Sequence, residues 1–144
     1  MTDLRATGTD DPAPSLAPAV HSRSRTMTDP TADIFVSQRP WGEFMQLACN
    51  TPVTVKLITI EPGQRLSLQR HEQRGELWQI LDGPIDVTIG TFERMATRGE
   101  IVWIPQGTVH RMTNSGDTPR RVLELAFGPF DEDDIERLDD DYGR

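Results

Sequence analysis

Two stretches decide how this chain folds: GQRLSLQRHEQRGELWQILDG at residues 63–83 and GEIVWIPQGTVHRMTN at residues 99–114. Both alternate short apolar runs with Gly and Pro residues that mark turns, as the hairpins of a β-sheet do. Gln69 and His71 lie two residues apart, so on a strand their side chains point to the same face. Glu76 follows after four residues, and His110 closes the second stretch. These four residues are the candidates for a shared site.

The same alternation of apolar runs and turn residues extends over residues 42–127 and predicts many short strands. This spacing, without any long helical period, is typical of a β-sandwich or barrel. Residues 131–138 predict one short acidic helix near the C-terminus, with Asp131 near its N-cap. The fold class predicted from these features is all-β with a short C-terminal helix.

The first 32 residues differ in composition from the rest of the chain. They are rich in Thr, Asp, Ala, Pro and Ser and contain few large apolar residues. Such a segment buries too little surface to offset the entropy of ordering it. We therefore predict a disordered tail over residues 1–32 and one domain over residues 33–144.

Charge and cysteine content limit the possible partners. The formal net charge of −8 disfavours binding to nucleic acid or to an anionic membrane surface. Cys49 is the single cysteine, so an internal disulfide cannot form and a Cys-based zinc site is implausible. No stretch is apolar and long enough to span a membrane. These features suit a cytoplasmic protein.

The predicted domain contains only two histidines, His71 and His110, because His21 lies in the predicted tail. If the two hairpins oppose each other in a barrel, both imidazoles can meet the Gln69 amide and the Glu76 carboxylate. One amide oxygen, two imidazoles and one carboxylate suit a divalent ion, with Zn as the first expectation and Mn, Co, Fe or Ni as alternatives. Coordination positions would remain open for water or substrate.

The spacing of these residues resembles the two sequence motifs of the cupin family. Nine of ten fixed positions agree, and the exception is Gln69 in the first His position. The matching residues are Gly63, His71, Glu76, Gly83, Gly99, Pro105, Gly107, His110 and Asn114. The resemblance implies a double-stranded β-helix, which is a jelly-roll barrel.

Gln69 narrows the resemblance further. Together with RPWG at residues 39–42, EDDI at residues 132–135 and DYGR at residues 141–144, it makes residues 38–144 resemble the C-terminal cupin domain of type II mannose-6-phosphate isomerases. In that family a guanylyltransferase domain often precedes the cupin domain. The 144 residues leave no room for one, so we expect a free-standing isomerase domain.

The resemblance implies a metal-dependent interconversion of mannose 6-phosphate and fructose 6-phosphate, or of a related sugar phosphate, through an enediol. Lys56 matches a family lysine and is the first candidate for the catalytic base. Glu72, Glu124 and a metal-bound hydroxide are the other candidates for that base. For the substrate and its phosphate, the expected binding residues are Arg74, Arg111, Ser67 and Arg39.

Three positions depart from the family pattern. Histidines usually occupy the positions that are Glu72, Gln73 and Leu77 here. The alternative function is a non-catalytic cupin that binds a metal, a sugar or another small ligand. A cupin oxygenase is a third hypothesis, and Gln69 disfavours it because such sites usually have imidazole there. We also expect that the protein can form a homodimer, since exposed sheet edges favour pairing.

Overall fold

The computed structural model describes residues 27–144, which form eleven strands and one 3-10 helical turn. The turn covers Pro30–Asp33, and the strands are β1 (Phe35–Arg39), β2 (Gly42–Gln46), β3 (Val53–Ile60), β4 (Leu68–Arg70), β5 (Gly75–Ile80), β6 (Ile85–Ile89), β7 (Phe92–Ala96), β8 (Ile101–Ile104), β9 (His110–Thr113), β10 (Arg120–Phe127) and β11 (Glu136–Asp139). The all-β prediction is confirmed. In this part of the chain no helix has the length and apolar character needed to cross a membrane.

Nine of the strands form two antiparallel sheets, and β1 pairs with β2 in a separate hairpin. The first sheet has the order β3-β10-β5-β8, and the second has the order β11-β4-β9-β6-β7. Strands far apart in sequence are therefore neighbours, as β10 is between β3 and β5. This crossing order is typical of a jelly roll.

The main core lies between the two sheets. Trp78 and Ile80 of β5 meet Val87 of β6 and Met112 of β9, and each of these side chains is at most 1% exposed. Burying one large apolar side chain contributes roughly 1.5–3 kcal/mol to stability. Because side chains alternate along a strand, residues two positions away share this inner face. The candidate ligand Glu76 of β5 therefore lies on the same inner face as Trp78 and Ile80.

A second apolar cluster covers the outer face of the first sheet. Leu77, Leu125 and Phe127 form it, and Ile34 and Met27 pack against them. Residues 1–26 of the predicted tail lie outside the described residues. The remainder of that segment, residues 27–32, includes the start of the 3-10 turn and the contact of Met27 with the sheet.

The prediction of an acidic helix at residues 131–138 was wrong, because these residues form a turn and strand β11. The Asp131 carboxylate accepts a hydrogen bond from the Asp133 N–H at 2.9 Å, and the Asp131 carbonyl accepts one from the Asp134 N–H at 3.2 Å. This closes a turn, after which the chain extends as β11 and pairs with β4. Pairing with the edge of the sheet outweighs the weak local preference for a helix.

Candidate metal centre

The sheet pairing brings the predicted ligands together at one end of the barrel. Gln69 of β4 lies opposite His110 of β9, and Glu76 lies on the facing sheet. The Gly107 N–H donates to the carbonyl of His71 at 2.7 Å and so joins the two motif stretches directly. Gly107 has φ of +77°, a conformation that residues with a Cβ atom adopt at a cost.

His71, Glu76 and His110 place their ligand atoms within 4.8 Å of one another. Nε2 of His71 lies 3.0 Å from Oε1 of Glu76, and Nε2 of His110 lies 3.4 Å from Oε2 of the same carboxylate. The two imidazole rings are 5.1 Å apart, and all three side chains are at most 2% exposed. The site is thus compact and screened from water.

Hydrogen bonds to carbonyl groups fix the orientation of both histidine rings. Nδ1 of His71 lies 2.7 Å from the carbonyl oxygen of Asp134, and Nδ1 of His110 lies 2.7 Å from that of Thr108. A carbonyl only accepts hydrogen bonds, so each Nδ1 carries the proton and each Nε2 directs a lone pair towards Glu76. Nε2 of His110 has no hydrogen-bond partner in residues 27–144. Two lone pairs and a carboxylate that converge in this way fit a divalent cation.

Gln69 completes the set of candidate ligands. Its Nε2 lies 3.4 Å from Nε2 of His71, and its Oε1 accepts a hydrogen bond from Oγ of Ser67 at 2.7 Å. A half-turn of the amide exchanges these two ends, because the Ser67 hydroxyl can also accept a hydrogen bond. The amide oxygen would then face the imidazoles. The predicted ligands Gln69, His71, Glu76 and His110 therefore lie together, with Ser67 beside them.

Two buried glutamates in the site have opposite pKa shifts. Burial alone would raise the pKa of Glu76, but the adjacent His110 and His71 side chains hold it well below its ordinary value. Burial and the neighbouring Glu76 charge together raise the pKa of Glu124 to about 7, against the opposing effect of Lys56. Glu124 lies on the inner face of β10, in hydrogen-bond contact with Glu76.

Arg74, a predicted phosphate-binding residue, lies inside the site. Its Nε lies 3.3 Å from Oε1 of Glu76, and one terminal nitrogen lies 3.2 Å from Nε2 of His71. The other terminal nitrogen donates to the carbonyl of Asp131 at 3.0 Å, and the guanidinium lies 4.4 Å from the centre of the Phe130 ring. The side chain is 2% exposed. Internal groups therefore occupy the donors of this guanidinium.

Lys56 lies at the edge of the same site. It shares the inner face of β3 with Ile58 and Ile60, while Val55 and Leu57 point outward. Its Nζ donates to Oε1 of Glu132 at 3.0 Å and lies 4.3 Å from the centre of the Phe130 ring. The lysine is thus accessible from the mouth of the barrel.

The structure does not bring Arg111 or Arg39 into the site. Arg111 follows His110 on β9, so it points to the opposite face, where it donates to the Asp139 carboxylate at 2.6 Å. Arg39 lies in the β1–β2 hairpin, 5.3 Å from the centre of the Phe44 ring. The alternation of β-strand side chains was the sequence signal that could have separated Arg111 from His110.

The three positions that depart from the family pattern all point away from the ligand atoms. The Glu72 side chain is 66% exposed and lies 3.5 Å from Arg70, outside the barrel. The structure therefore does not place Glu72, a predicted catalytic base, inside the site. Gln73 is exposed, and Leu77 packs in the outer cluster with Leu125. The ligand arrangement therefore does not depend on these three side chains.

Sequence reasoning missed the segment that covers the site, residues 130–134, which we call the strap. The Asp134 carboxylate accepts hydrogen bonds from the backbone N–H groups of Glu72 at 3.0 Å and Gln73 at 2.9 Å. Phe130 and Asp131 also contact Arg74, and Glu132 contacts Lys56. The acidic run at residues 131–134 was visible in the sequence, but its acidic character alone indicated no partner.

Comparison with known proteins identifies the family. The family model for the mannose-6-phosphate isomerase C-terminal domain matches residues 28–140. The chain belongs to this family. The alginate biosynthesis protein AlgA of Pseudomonas aeruginosa is 41% identical to it over 107 residues, which are 74% of this chain. The mannose-1-phosphate guanylyltransferase of Escherichia coli K12 is 36% identical over 107 residues.

This member of the isomerase family spans about a fifth of the length of those relatives, 22% in both cases. Among solved structures, the capsular polysaccharide assembling protein CapF of Staphylococcus aureus superposes with a TM-score of 0.57 and 20% identity, covering 76% of this chain and 35% of CapF. A double-stranded β-helix protein of Klebsiella pneumoniae gives a TM-score of 0.54 and 20% identity, covering 59% of this chain and 73% of that protein. These similarities confirm the cupin fold.

Proposed function

We propose that this protein is a metal-dependent aldose–ketose isomerase that interconverts mannose 6-phosphate and fructose 6-phosphate. The observation that carries the proposal is the convergence of His71, His110 and Glu76, with Gln69 beside them, in a chain of the mannose-6-phosphate isomerase family. The buried, hydrogen-bonded imidazoles leave their Nε2 atoms directed inward, as metal ligands require.

Gln69, His71, Glu76 and His110 would hold the ion, with Zn as the first expectation and Mn, Co, Fe or Ni as alternatives. When bound, a divalent ion supplies positive charge beside the oxygen atoms of the sugar that become negative during isomerisation. Thr108 and Asp134 keep both imidazoles in the orientation that binding needs.

The isomerisation also needs a group that moves a proton between neighbouring carbon atoms of the sugar. Glu124 is the best-placed candidate, because its carboxyl group lies inside the barrel in contact with Glu76. Lys56 faces the interior too, but its ammonium group lies at the edge of the site against the Phe130 ring, and Glu72 points into solvent. We assign proton transfer to Glu124, and its burial keeps water away from the transferred proton.

A coupled assay of purified protein loaded with Zn²⁺, Mn²⁺ or Co²⁺ tests the proposal. Turnover of mannose 6-phosphate is expected, and Gln69→Ala and His110→Ala should abolish it with loss of bound metal. Glu124→Gln should lower kcat about 100-fold or more while the metal stays bound. Glu72→Gln is the matched control, since it removes an exposed carboxylate beside His71 and should leave the rate unchanged.

Absence of turnover of either hexose phosphate with every metal would refute the isomerase proposal. Binding of the sugar phosphate without conversion would instead support the non-catalytic sugar-binding cupin. Full activity of Glu124→Gln would show that Glu124 does not transfer the proton. It would not contradict the proposed metal site.

A further inference from the structure

The ion pair between Lys56 and Glu132 stands at the mouth of the barrel. Its two charged atoms are 3.0 Å apart, and the side chains are 37% and 68% exposed, respectively. The pair is therefore in contact with water, unlike the buried charges behind it. An exposed pair of this kind is only weakly held, because water and salt compete for both charges.

Lys56 stays in place independently of Glu132. Its ammonium group lies 4.3 Å from the centre of the Phe130 ring, a distance at which an aromatic face attracts a cation. Glu132, in contrast, has no described partner other than Lys56 within residues 27–144. Asp131 and Asp134 on either side anchor the strap. The Glu132 side chain can therefore turn out into water without moving the strap.

The other cations expected to bind phosphate are not available in the same way. The donors of Arg74 reach Glu76, His71 and the backbone of the strap in the buried interior. Arg111 is bound to Asp139 on the opposite face of its strand. Among these predicted binders and Lys56, only Lys56 pairs with a carboxylate that an incoming anion can displace.

We propose that Lys56 binds the anionic group of the substrate and that the Glu132 carboxylate occupies this anion position until the substrate arrives. The inference rests on the proposed function for its substrate class, a phosphorylated hexose. A phosphate carries about −1.5 to −2 charges at neutral pH and three acceptor oxygens, so it competes well against one carboxylate. An uncharged hexose has no such advantage. Lys56 thus gives the site its selectivity for phosphorylated over free sugars, and Glu132 weakens the binding of the phosphate by competing for Lys56.

Isothermal titration of the metal-loaded full chain at fixed ionic strength tests this inference. The probes are inorganic phosphate, mannose 6-phosphate and mannose. Glu132→Gln should bind both phosphates about fivefold more tightly, because it removes the competing carboxylate. Lys56→Met should bind them at least about tenfold more weakly, and Lys56→Arg should restore most of the affinity. Neither change should alter the affinity for mannose.

Glu136→Gln is the matched control for Glu132→Gln. It removes an exposed carboxylate from the same part of the chain, but that carboxylate pairs with Arg70, so the phosphate affinity should not change. Equal phosphate affinity in Glu132→Gln and the wild type would overturn the inference, as would undiminished binding in Lys56→Met with an unchanged unfolding temperature. Phosphate binding that follows the expected pattern without isomerase turnover would refute the proposed function alone. Turnover without the pattern would refute only the anion site.

Discussion

Glu76 and Glu124 are neighbouring buried carboxyl groups whose surroundings favour opposite protonation states. Glu76 is faced by two imidazoles and by Nε of Arg74 at 3.3 Å, so its charged form is stabilised. Glu124 is buried against the Glu76 carboxylate, and burial together with that like charge favours its neutral form. One carboxylate can thus serve as a ligand while the other can hold a proton.

Replacing these two glutamates one at a time should give unequal losses of stability in the metal-free protein. Glu76→Gln should lower the free energy of unfolding by about 3–5 kcal/mol, because the buried Arg74 charge then keeps only the more distant Asp134 carboxylate, at 3.9 Å. Glu124→Gln should not lower it at pH 6, because the pKa of about 7 keeps Glu124 neutral in the folded chain and the amide is neutral as well. Urea denaturation of chelator-treated protein measures both.

The sign of the pH dependence provides the control. The folded chain keeps a proton on Glu124 that the unfolded chain releases above its ordinary pKa of 4.5, so the contribution of Glu124 to stability falls as the pH rises from about 4.5 to about 7. Glu124→Gln should flatten this part of the profile. Equal losses for the two variants at pH 6, with parallel pH profiles, would contradict the assignment of opposite states.

At the scale of elements, the strap acts as a brace for the ligand stretch. Its Asp134 carboxylate holds the backbone N–H groups of Glu72 and Gln73, and its carbonyl holds Nδ1 of His71. A hydrogen bond from a ligand imidazole to the backbone fixes both the ring and its tautomer. The strap therefore links the C-terminal part of the chain to the geometry of the metal centre.

Removing the Asp134 carboxylate should weaken metal binding even though Asp134 is not one of the four candidate ligands. Asp134→Ala should reduce Zn²⁺ affinity about 10-fold to 100-fold, because the backbone around His71 loses its support. Competition with a chromophoric chelator measures this affinity. Asp133→Ala removes the neighbouring exposed carboxylate and serves as the control. If both variants bind Zn²⁺ as tightly as the wild type, the strap has no role in positioning His71.

The contacts of the strap could not be predicted from the sequence. The short strands between residues 42 and 127 were predicted, because alternation and turn residues are local signals. The partners of the strap lie about 60 residues earlier in the chain, as for Asp134 and His71. No local pattern encodes such a pairing. The helix predicted at residues 131–138 was wrong because local propensity was the only signal available there.

At the scale of the whole molecule, the first sheet separates two environments. Its inner face carries the apolar core and the candidate ligand Glu76, while its outer face carries Leu77, Leu125 and Phe127. Consecutive residues of β5, such as Glu76 and Leu77, therefore lie in the candidate site and in the outer apolar cluster, respectively. The ligands could be predicted because their spacing fixes them to one face. The packing of Met27 and Ile34 against the outer face could not be predicted, because these residues are far in sequence from the strands that they contact.

This separation predicts that stability and metal binding can be changed independently at adjacent positions of β10. Leu125→Ala on the outer face should lower the free energy of unfolding by about 2–5 kcal/mol and leave Zn²⁺ affinity unchanged. Ala126→Val on the inner face should cost about 1–3 kcal/mol through overpacking. Ala126 is fully buried and lies opposite Glu76, so the added methyl groups should also displace the carboxylate and weaken Zn²⁺ binding. Urea denaturation and chelator competition on the same samples give both quantities. Equal loss of Zn²⁺ affinity in the two variants would mean that the centre responds to the stability of the whole barrel rather than to its inner face.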